Sequence, residues 1–368
     1  MSSAPVNSTP CVVTLQMIAQ RCGVHYSTVQ RALNDQGRIS AATRERINAV
    51  AVEMGYDPHV NQDASRLIRQ RHGGQIINHV VAFYLPPIFY QHNYYMRILT
   101  GLWEVLVARH YDMLTTYYEM DGGKVERQPV SRSIVSGNVD AVIAMLGPER
   151  TNELQQQLRG TPRFGPRPII GLLEGSNKVS MVVFDEYAGA YALCKHLLKL
   201  GHCRFVYPHP NPEISDIVPQ RIRGYRDAIA EAGLSPDRSL RLVKIGWGDK
   251  QWEGHFIDAL REGMATSPAP TAVLLPHDTV AVAARNALRA WGKQVPRDVS
   301  LVGFDDADIL PDEQGQNILT TIHLPLEELG RTAARMAIRQ INAPAPVIES
   351  IVLPVSLVIR QSALSPRE

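Results

Sequence analysis

Residues 13–34 read VTLQMIAQRCGVHYSTVQRALN, and this stretch decides how the N-terminal part of the chain folds. Its apolar residues recur at helical spacing over 15–22, which predicts a short helix with Thr14 as the N-cap. Gly23 is expected to end that helix in a tight turn. The polar segment 25–34 then predicts a second helix. Two short helices joined by a glycine turn are typical of a helix-turn-helix.

A third helix completes the predicted N-terminal unit. It begins after Ser40 and runs to Met54, with Gly55 as its stop. Val29 and Leu33 of the second helix lie one turn apart and face inward. The three helices are therefore expected to share one small core. By spacing alone this pattern also fits a generic helical bundle or a protein-binding module. The Ala-x-x-x-Gly-Val turn and the polar second helix favour a DNA-binding unit instead.

Arginine is concentrated in the N-terminal part of the chain. The 368 residues carry a net charge of only +2, which gives no gross nucleic-acid signature. No lysine occurs before Lys124, whereas eight arginines occur before residue 72. Because the guanidinium fork suits guanine edges and phosphates, a local DNA-binding surface is compatible with the small total charge.

Several classes of protein are disfavoured by composition. Residues 1–12 lack the basic start and apolar stretch of a secretory signal and are expected to form a loose tail. No apolar run is long enough to cross a bilayer, so a cytoplasmic protein without membrane contact is predicted. The cysteines form no Cys-x-x-Cys pair, which argues against a zinc site and a disulfide framework; they are Cys11, Cys22, Cys194 and Cys203. Neither a metal nor a cofactor is expected.

From residue 80 the pattern changes to short apolar runs that alternate with helical stretches. The runs are 80–85, 140–146, 169–173, 179–184, 205–207, 240–245, 272–275 and 300–305. This alternation predicts parallel α/β sheets. Two successive sets of strands predict two lobes, and a ligand commonly binds in the crevice at the carboxyl ends of such strands.

Four N-terminal motifs resemble the headpiece of the lactose-repressor (LacI/GalR) family. They are Val13-Thr-Leu-x-x-Ile-Ala-x-x-x-Gly-Val24, Thr28-Val-x-Arg-x-Leu-Asn34, Thr43-Arg-Glu-Arg-Ile47 and Gly55-Tyr-x-Pro58. The resemblance implies an all-α helix-turn-helix headpiece over 13–58, with the second helix in the major groove of double-stranded operator DNA. It assigns base reading to Tyr26, Ser27 and Arg31, with His25 beside them, and phosphate contacts to Thr14, Thr28, Asn34 and Tyr56.

A hinge helix and linker are implied over 59–78. In the family this element inserts a leucine into the minor groove, and Ala64-Ser-Arg-Leu67 matches its motif. Leu67 is therefore the expected wedge; the alternative is a linker residue without a role.

The resemblance continues through residues 79–368. The motifs that carry it include Leu200-Gly-His202, Arg221-x-x-Gly-Tyr225 and Val295-Pro-x-Asp-Val-Ser-Leu-Val-Gly-Phe-Asp-Asp306. They imply a two-lobed core with parallel sheets, similar to the periplasmic binding proteins. The chain is expected to cross between lobes near Gly201–His202, near His323–Leu324 and before the last strand. A homodimer is implied, because two headpieces read two half-sites.

The family's effector-contacting arginine and aspartate map to Arg221 and Asp305. A guanidinium and a carboxylate can hold neighbouring hydroxyls, so the resemblance implies a small polar effector such as a sugar. The further candidates for the pocket are Tyr94, Tyr95, Asp185, Trp247 and His277. Each has a structural alternative: Asp305 could cap a turn, Arg221 could pair on a helix surface, and Tyr94 could fill the core.

Two other classes of function compete with this prediction. An enzyme could use the carboxylates of Asp305, Asp306 and Asp308, but no phosphate loop, nucleophile elbow, zinc-protease motif or dinucleotide fingerprint accompanies them. A solute-binding or sugar-processing α/β protein without DNA regulation would share the two-lobed core. It would have no use for residues 13–58, so a DNA-binding regulator is the favoured prediction.

Overall fold

The computed structural model describes most of the chain. It covers residues 13–33, 39–54, 56, 77–85, 93–117, 120–121, 124–125, 130–159, 167–174, 177–211, 215–246, 252–343 and 347–367. The predictions for Cys11, Asn34, Gly55, Leu67 and Trp247 lie outside these residues. The chain divides into two compact units, Met1–Asn78 and His79–Glu368. No helix within the described ranges is long and apolar enough to span a membrane.

The first unit is a bundle of three helices, α1 (Leu15–Cys22), α2 (Tyr26–Leu33) and α3 (Ala41–Glu53). Their shared core consists of Ile18, Ala19, Cys22, Val29, Ala32, Ile47 and Ala51. Partly buried side chains that include Leu33 and Tyr56 pack against this cluster. The small core predicted from the apolar spacing is therefore confirmed.

Local hydrogen bonds set the ends of these short helices. The Thr14 hydroxyl accepts a hydrogen bond from the Met17 amide at 3.3 Å, and the Ser40 hydroxyl accepts one from the Thr43 amide at 3.2 Å. Gly23 has φ 61°, a left-handed conformation that a residue without Cβ adopts at little cost. The three predicted caps are confirmed.

The second unit alternates strands and helices. Its described strands are β1 (Val80–Leu85), β2 (Asp112–Tyr117), β3 (Met120–Asp121), β4 (Lys124–Val125), β5 (Ala141–Ala144), β6 (Ile169–Leu172), β7 (Ser180–Phe184), β8 (Phe205–His209), β9 (Leu240–Lys244), β10 (Ala272–Leu274), β11 (Ser300–Asp305), β12 (Thr320–His323), β13 (Ser350–Leu353) and β14 (Ser356–Val358). Its described helices are α4 (Asn93–Ala108), α5 (Arg132–Val135), α6 (Pro148–Arg159), α7 (Glu186–Lys199), α8 (Ile217–Glu231), α9 (Pro236–Ser239), α10 (Trp252–Met264), α11 (Ala281–Ala290) and α12 (Leu326–Ile341), with a 3-10 turn at Asp278–Val280.

Two six-stranded sheets form the two lobes. The first sheet has the order β13-β7-β6-β5-β1-β2 and is parallel throughout. The second has the order β14-β12-β11-β10-β8-β9, and β14 alone among its strands pairs antiparallel. The eight predicted strands are confirmed with small changes at their ends. These parallel strands are buried beneath covering helices, which accounts for their continuous apolar runs.

The first crossing between lobes differs from the prediction. It lies between β7 and α7, at Asp185, and not near Gly201–His202. The helix α7 already packs on the second sheet, because Gly189 lacks a side chain: a Cβ there would lie 2.8 Å from Phe304 Cζ and 3.2 Å from Ile322 Cγ2. This close fit attaches α7 to the second lobe.

The other two crossings are confirmed. The strand β12 belongs to the second sheet, whereas α12 packs on α4 and on strands β5, β6 and β7 of the first lobe. The chain therefore crosses between His323 and Leu326. It crosses again between β13 and β14, which lie in different sheets. In the order of the described strands and helices, the chain thus passes between the lobes three times.

Two glycines allow α4 and α12 to approach closely. A Cβ on Gly101 would overlap the backbone carbonyl of Glu327, and a Cβ on Gly330 would overlap that of Ile98. Backbone atoms can yield only if a whole helix moves. The first lobe therefore depends on glycine at both positions.

We expect Gly101→Ala to lower the free energy of unfolding by about 1–3 kcal/mol, the usual cost of overpacking. Alanine favours a helix by up to about 1 kcal/mol over glycine, so the clash must exceed that gain. Urea denaturation of the purified protein measures the change, with Thr100→Ala on the exposed face of α4 as the neighbouring control. A Gly101→Ala protein as stable as the control would contradict the close approach.

Candidate functional site

The second helix of the headpiece presents a polar face. His25 and Ser27 lie at its start, and Arg31 lies one turn later on the same side as Ser27. Arg31 donates from Nε to the Ser27 carbonyl at 3.2 Å and from Nη2 to the Ser27 hydroxyl at 3.3 Å. His25 Nδ1 accepts a hydrogen bond from the Ser27 amide at 3.3 Å. The guanidinium and the imidazole are exposed, as groups that read base edges must be.

The other predicted DNA contacts surround this face. Tyr26 and Thr28 are half-buried on α2, and the Thr14 hydroxyl caps α1. The Tyr56 amide donates to the Ala51 carbonyl at 2.8 Å, which ties the end of the bundle to α3. The base-reading role of Tyr26 and the phosphate-contacting roles of Thr14, Thr28 and Tyr56 stay predictions, because none of these contacts requires DNA.

A buried guanidinium lies at the centre of the second unit. Arg221, on α8, donates from Nε to Glu186 Oε2 at 2.6 Å and from Nη1 to the Pro276 carbonyl at 2.6 Å. Its Nη2 lies 4.0 Å from Asp305 Oδ1. The guanidinium carbon lies 3.6 Å from the centre of the Phe304 ring, in a cation–π arrangement. The predicted pair Arg221 and Asp305 is thus brought together, with Glu186 as an additional partner.

Burial and neighbouring charges shape the ionisation of this group. Burial opposes the charge of Arg221, but the carboxylates of Glu186 and Asp305 outweigh it and hold its pKa above the ordinary value. Burial raises the pKa of Asp305 well above its usual range; Arg221 lowers that pKa, and the nearby Asp278 and Glu186 raise it. Arg221 therefore stays charged.

The backbone at the end of β11 is strained. Asp305 has φ 115° and Asp306 has φ 54°, both in a region that residues with a Cβ rarely adopt. Arg97 holds the turn by donating to the Asp306 carbonyl at 3.1 Å, and Arg360 donates to the Asp306 carboxylate at 2.8 Å. His323 Nδ1 lies 3.1 Å from the same carboxylate. These contacts direct Asp305 toward Arg221 and leave Asp306 outside the cluster.

Tyr94 and Tyr95 face the cluster from the first lobe. They form the first turn of α4, with their rings edge to face at 5.3 Å. Burial raises the pKa of Tyr94 well above its usual range, and the charges of Asp305 and Glu186 raise it further. Burial, followed by the charge of Asp305, raises the pKa of Tyr95 to about 12. Both phenols therefore stay protonated and can donate hydrogen bonds near the carboxylates.

His277 stacks on a tryptophan that the sequence analysis missed. The Trp252 and His277 rings lie 5.0 Å apart at 28°, and Trp252 also stacks on Phe256 at 6.0 Å. His277 directly follows Pro276, whose carbonyl binds Arg221. The tryptophan among the predicted pocket residues is Trp247, which lies outside the described residues; the signal available in the sequence was a second tryptophan five residues along the chain.

Asp185 and Glu186 make different contacts at the start of α7. Asp185 caps the helix, accepting from the Ala188 amide at 2.8 Å. Glu186, the first helical residue, turns inward to Arg221 and is 3% exposed. Sequence reasoning singled out Asp185 and missed its neighbour, because both are acids after a buried strand. A place for Asp185 in the pocket wall stays a prediction.

One more carboxylate, also missed from the sequence, links the lobes. Glu174 follows β6 of the first lobe, while Ser215 and Asp216 precede α8 of the second. Ser215 Oγ donates to Glu174 Oε1 at 2.6 Å, and the Asp216 amide donates to Oε2 at 3.3 Å. Burial raises the pKa of Glu174 although the Ser215 hydrogen bond lowers it. The junction between the lobes thus holds a carboxylate that the sequence analysis did not assign to the site.

Comparisons with known proteins agree with both units. Residues 14–59 match the family described as bacterial regulatory proteins, lacI family, and residues 194–363 match the periplasmic binding protein-like domain. The HTH-type transcriptional regulator CelR of Thermobifida fusca is 29% identical over 353 residues, which are 95% of this chain and 98% of that protein.

Solved structures show the same fold. A LacI family transcriptional regulator from Enterococcus faecium with bound ribose is 25% identical, with a TM-score of 0.62, over 78% of this chain and 100% of that one. The lac repressor dimer bound to operator and the anti-inducer ONPF is 23% identical, with a TM-score of 0.66, over 96% of this chain and 100% of that one.

Asp278 is a buried carboxyl group whose ionisation should make the stability of the fold depend on pH. It is 1% exposed and accepts from the Thr321 hydroxyl at 2.8 Å, and burial raises its pKa from 3.8 to about 8. Between those values the unfolded chain has lost the proton and the folded protein keeps it. Raising the pH through this range therefore stabilises the unfolded, ionised chain relative to the folded protein, and the free energy of unfolding falls.

We expect the wild-type free energy of unfolding to fall relative to that of Asp278→Asn from about pH 5 to pH 8, by up to about 1.4 kcal/mol per pH unit. The asparagine oxygen can still accept from Thr321, so the hydrogen bond is retained. Urea denaturation of both proteins across this range measures the difference. Parallel stability curves would show that Asp278 is ionised in the folded protein.

Proposed function

Because this chain belongs to the lacI family of bacterial regulatory proteins, we propose that it represses transcription by binding operator DNA and that a small polar effector controls this binding. The main observation in support of this proposal is that one chain combines two features. An exposed helix-turn-helix face bears Arg31, and a buried cluster in the α/β core joins Arg221 to Asp305. Proteins of this family are regulators and not enzymes, and we place this one in the cytoplasm, where its DNA target lies.

The headpiece, residues 13–58, would read the operator through α2. Arg31 can form two hydrogen bonds with the O6 and N7 atoms of guanine, and His25, Tyr26 and Ser27 would contact neighbouring base edges. Thr14, Thr28, Asn34 and Tyr56 would bind phosphates and fix the orientation. Residues 59–78 would act as hinge and linker, with Leu67 as the minor-groove wedge.

The two-lobed core, residues 79–368, would bind the effector in its cleft. A carbohydrate is the class that we favour, because charged hydrogen-bonding groups suit its hydroxyls and aromatic rings suit its apolar faces. The residues proposed to contact it are Tyr94, Tyr95, Asp185, Arg221, Trp247, His277 and Asp305. A relative solved with ribose supports this class.

Effector binding would change DNA affinity through the relation between the lobes. In a homodimer two headpieces must match the spacing of two half-sites, so a small change in the core alters the affinity. The effector must bind the two states unequally for this coupling to exist. The lac repressor structure, a dimer on its operator, supports the dimeric arrangement.

Fluorescence anisotropy with DNA from upstream of the protein's own gene tests the proposal. At one fixed salt concentration, the wild type should bind this DNA much more tightly than random DNA. Arg31→Ala should reduce this preference by about 1–3 kcal/mol, whereas Arg46→Ala, an exposed arginine of α3, should leave the preference unchanged. Equal losses on both DNAs for Arg31→Ala would remove its base-reading role, and a wild type without preference would contradict the function.

Asp305→Ala should abolish the response to effector while operator binding without effector persists. The substitution removes the carboxylate beside Arg221 but lies in the core and not in the headpiece. The same anisotropy assay, with a panel of sugars added to the protein–DNA complex, measures it. A response equal to that of the wild type would exclude Asp305 from the pocket.

A further inference from the structure

The cation of the cleft is already paired before an effector binds. All three nitrogens of Arg221 face acceptors: Nε faces Glu186, Nη1 the Pro276 carbonyl and Nη2 the Asp305 carboxylate. One face of the guanidinium covers the Phe304 ring. The side chain is 7% exposed, so little of it remains open to a ligand.

Glu186 makes the shortest of these ion pairs and is itself nearly inaccessible. Its carboxylate lies 2.6 Å from Arg221 Nε, and its side chain is 4% exposed. A salt bridge this deeply buried has no water to replace a lost partner. Arg221 is therefore held by a carboxylate of the protein, and it cannot release that partner to bind an anionic ligand without leaving a buried charge unpaired.

More than one carboxylate lies near the single positive charge of Arg221. Glu186 and Asp305 face the guanidinium directly, and Glu174 lies close enough to Glu186 for their charges to interact. Tyr94 and Tyr95 add phenols near the same carboxylates, and neither phenol brings a positive charge. A ligand phosphate or carboxylate would meet like charges here, an arrangement that proteins use to reject partners.

We propose that Glu186 sets the charge class of the effector: by occupying Arg221, it makes the cleft select an uncharged polyhydroxylated compound over the phosphorylated or carboxylated form of the same compound. This inference rests on the proposed effector site and adds to it a residue that determines specificity. Without the Glu186 charge, the positive charge of Arg221 would lose its nearest counter-charge and become available to an anionic ligand. A guanidinium without such a counter-charge is the usual recognition element for phosphate and carboxylate.

The test compares matched pairs of compounds on the full-length protein. Isothermal titration calorimetry measures Kd for ribose against ribose 5-phosphate, glucose against glucose 6-phosphate, and galactose against galacturonate. In the wild type, the uncharged member of every pair that binds should be preferred by at least about tenfold, the discrimination that a like-charge contact readily supplies. In Glu186→Gln that preference should shrink by at least about tenfold.

Two further variants separate charge from shape and position. Glu186→Asp keeps the carboxylate and should retain the wild-type preference. Glu231→Gln removes a carboxylate from the exposed surface of α8 and should also leave the preference unchanged. Circular dichroism and thermal unfolding establish whether each variant is folded; if Glu186→Gln is not, the wild-type preference and the behaviour of Glu186→Asp still decide the question.

Each result bears on the proposal directly. Preference of the wild type for an anionic member, or an unchanged preference in Glu186→Gln, overturns it. Absence of binding by every compound also overturns it, because the carbohydrate class then fails. The DNA titration separates these failures from failure of the regulator function, since operator preference is measured without any compound.

Discussion

The buried contact between Arg221 and its carboxylates is the interaction on which the second unit depends. An arginine at this depth is tolerated only when opposite charges and hydrogen-bond acceptors replace water. Glu186 comes from the start of α7, Asp305 from the end of β11, and the Pro276 carbonyl from the segment after β10. Three separate elements of the second lobe must therefore converge at one point, and the strained turn at Asp305 is part of the cost.

The position of this cluster follows from the topology. The chain enters the second lobe at Asp185, so the residue that pairs with Arg221 is the first residue of that lobe's first helix. Tyr94 and Tyr95 belong to the first lobe, and from the first turn of α4 they lie close enough to the same charges to interact with them electrostatically. A ligand between these elements would touch both lobes at once. Such a site couples ligand chemistry to the lobe arrangement without any additional device.

The headpiece obeys a different constraint. Its core consists of only seven small or medium side chains, so α1 and α3 rely on their caps as well as on packing. All buried positions of α2 are used to hold the bundle, which leaves His25, Ser27 and Arg31 on the outside. The buried and the exposed residues of α2 thus lie on opposite faces of the helix.

The sequence by itself determined what depends on local pattern. Helical spacing and cap residues gave the three headpiece helices, and continuous apolar runs gave eight strands, because a fully buried parallel strand needs no alternation. The strand β2 was missed because it is a half-exposed edge strand. The family resemblance singled out Arg221 and Asp305, and the structure places their side chains 4.0 Å apart; their contact with an effector stays a prediction. Only the tertiary structure decided that α7 belongs to the second lobe, that Glu186 and not Asp185 binds Arg221, and that Trp252 stacks on His277. These outcomes depend on which side of a helix or strand meets a distant element, and residue type and spacing along the chain do not contain that information.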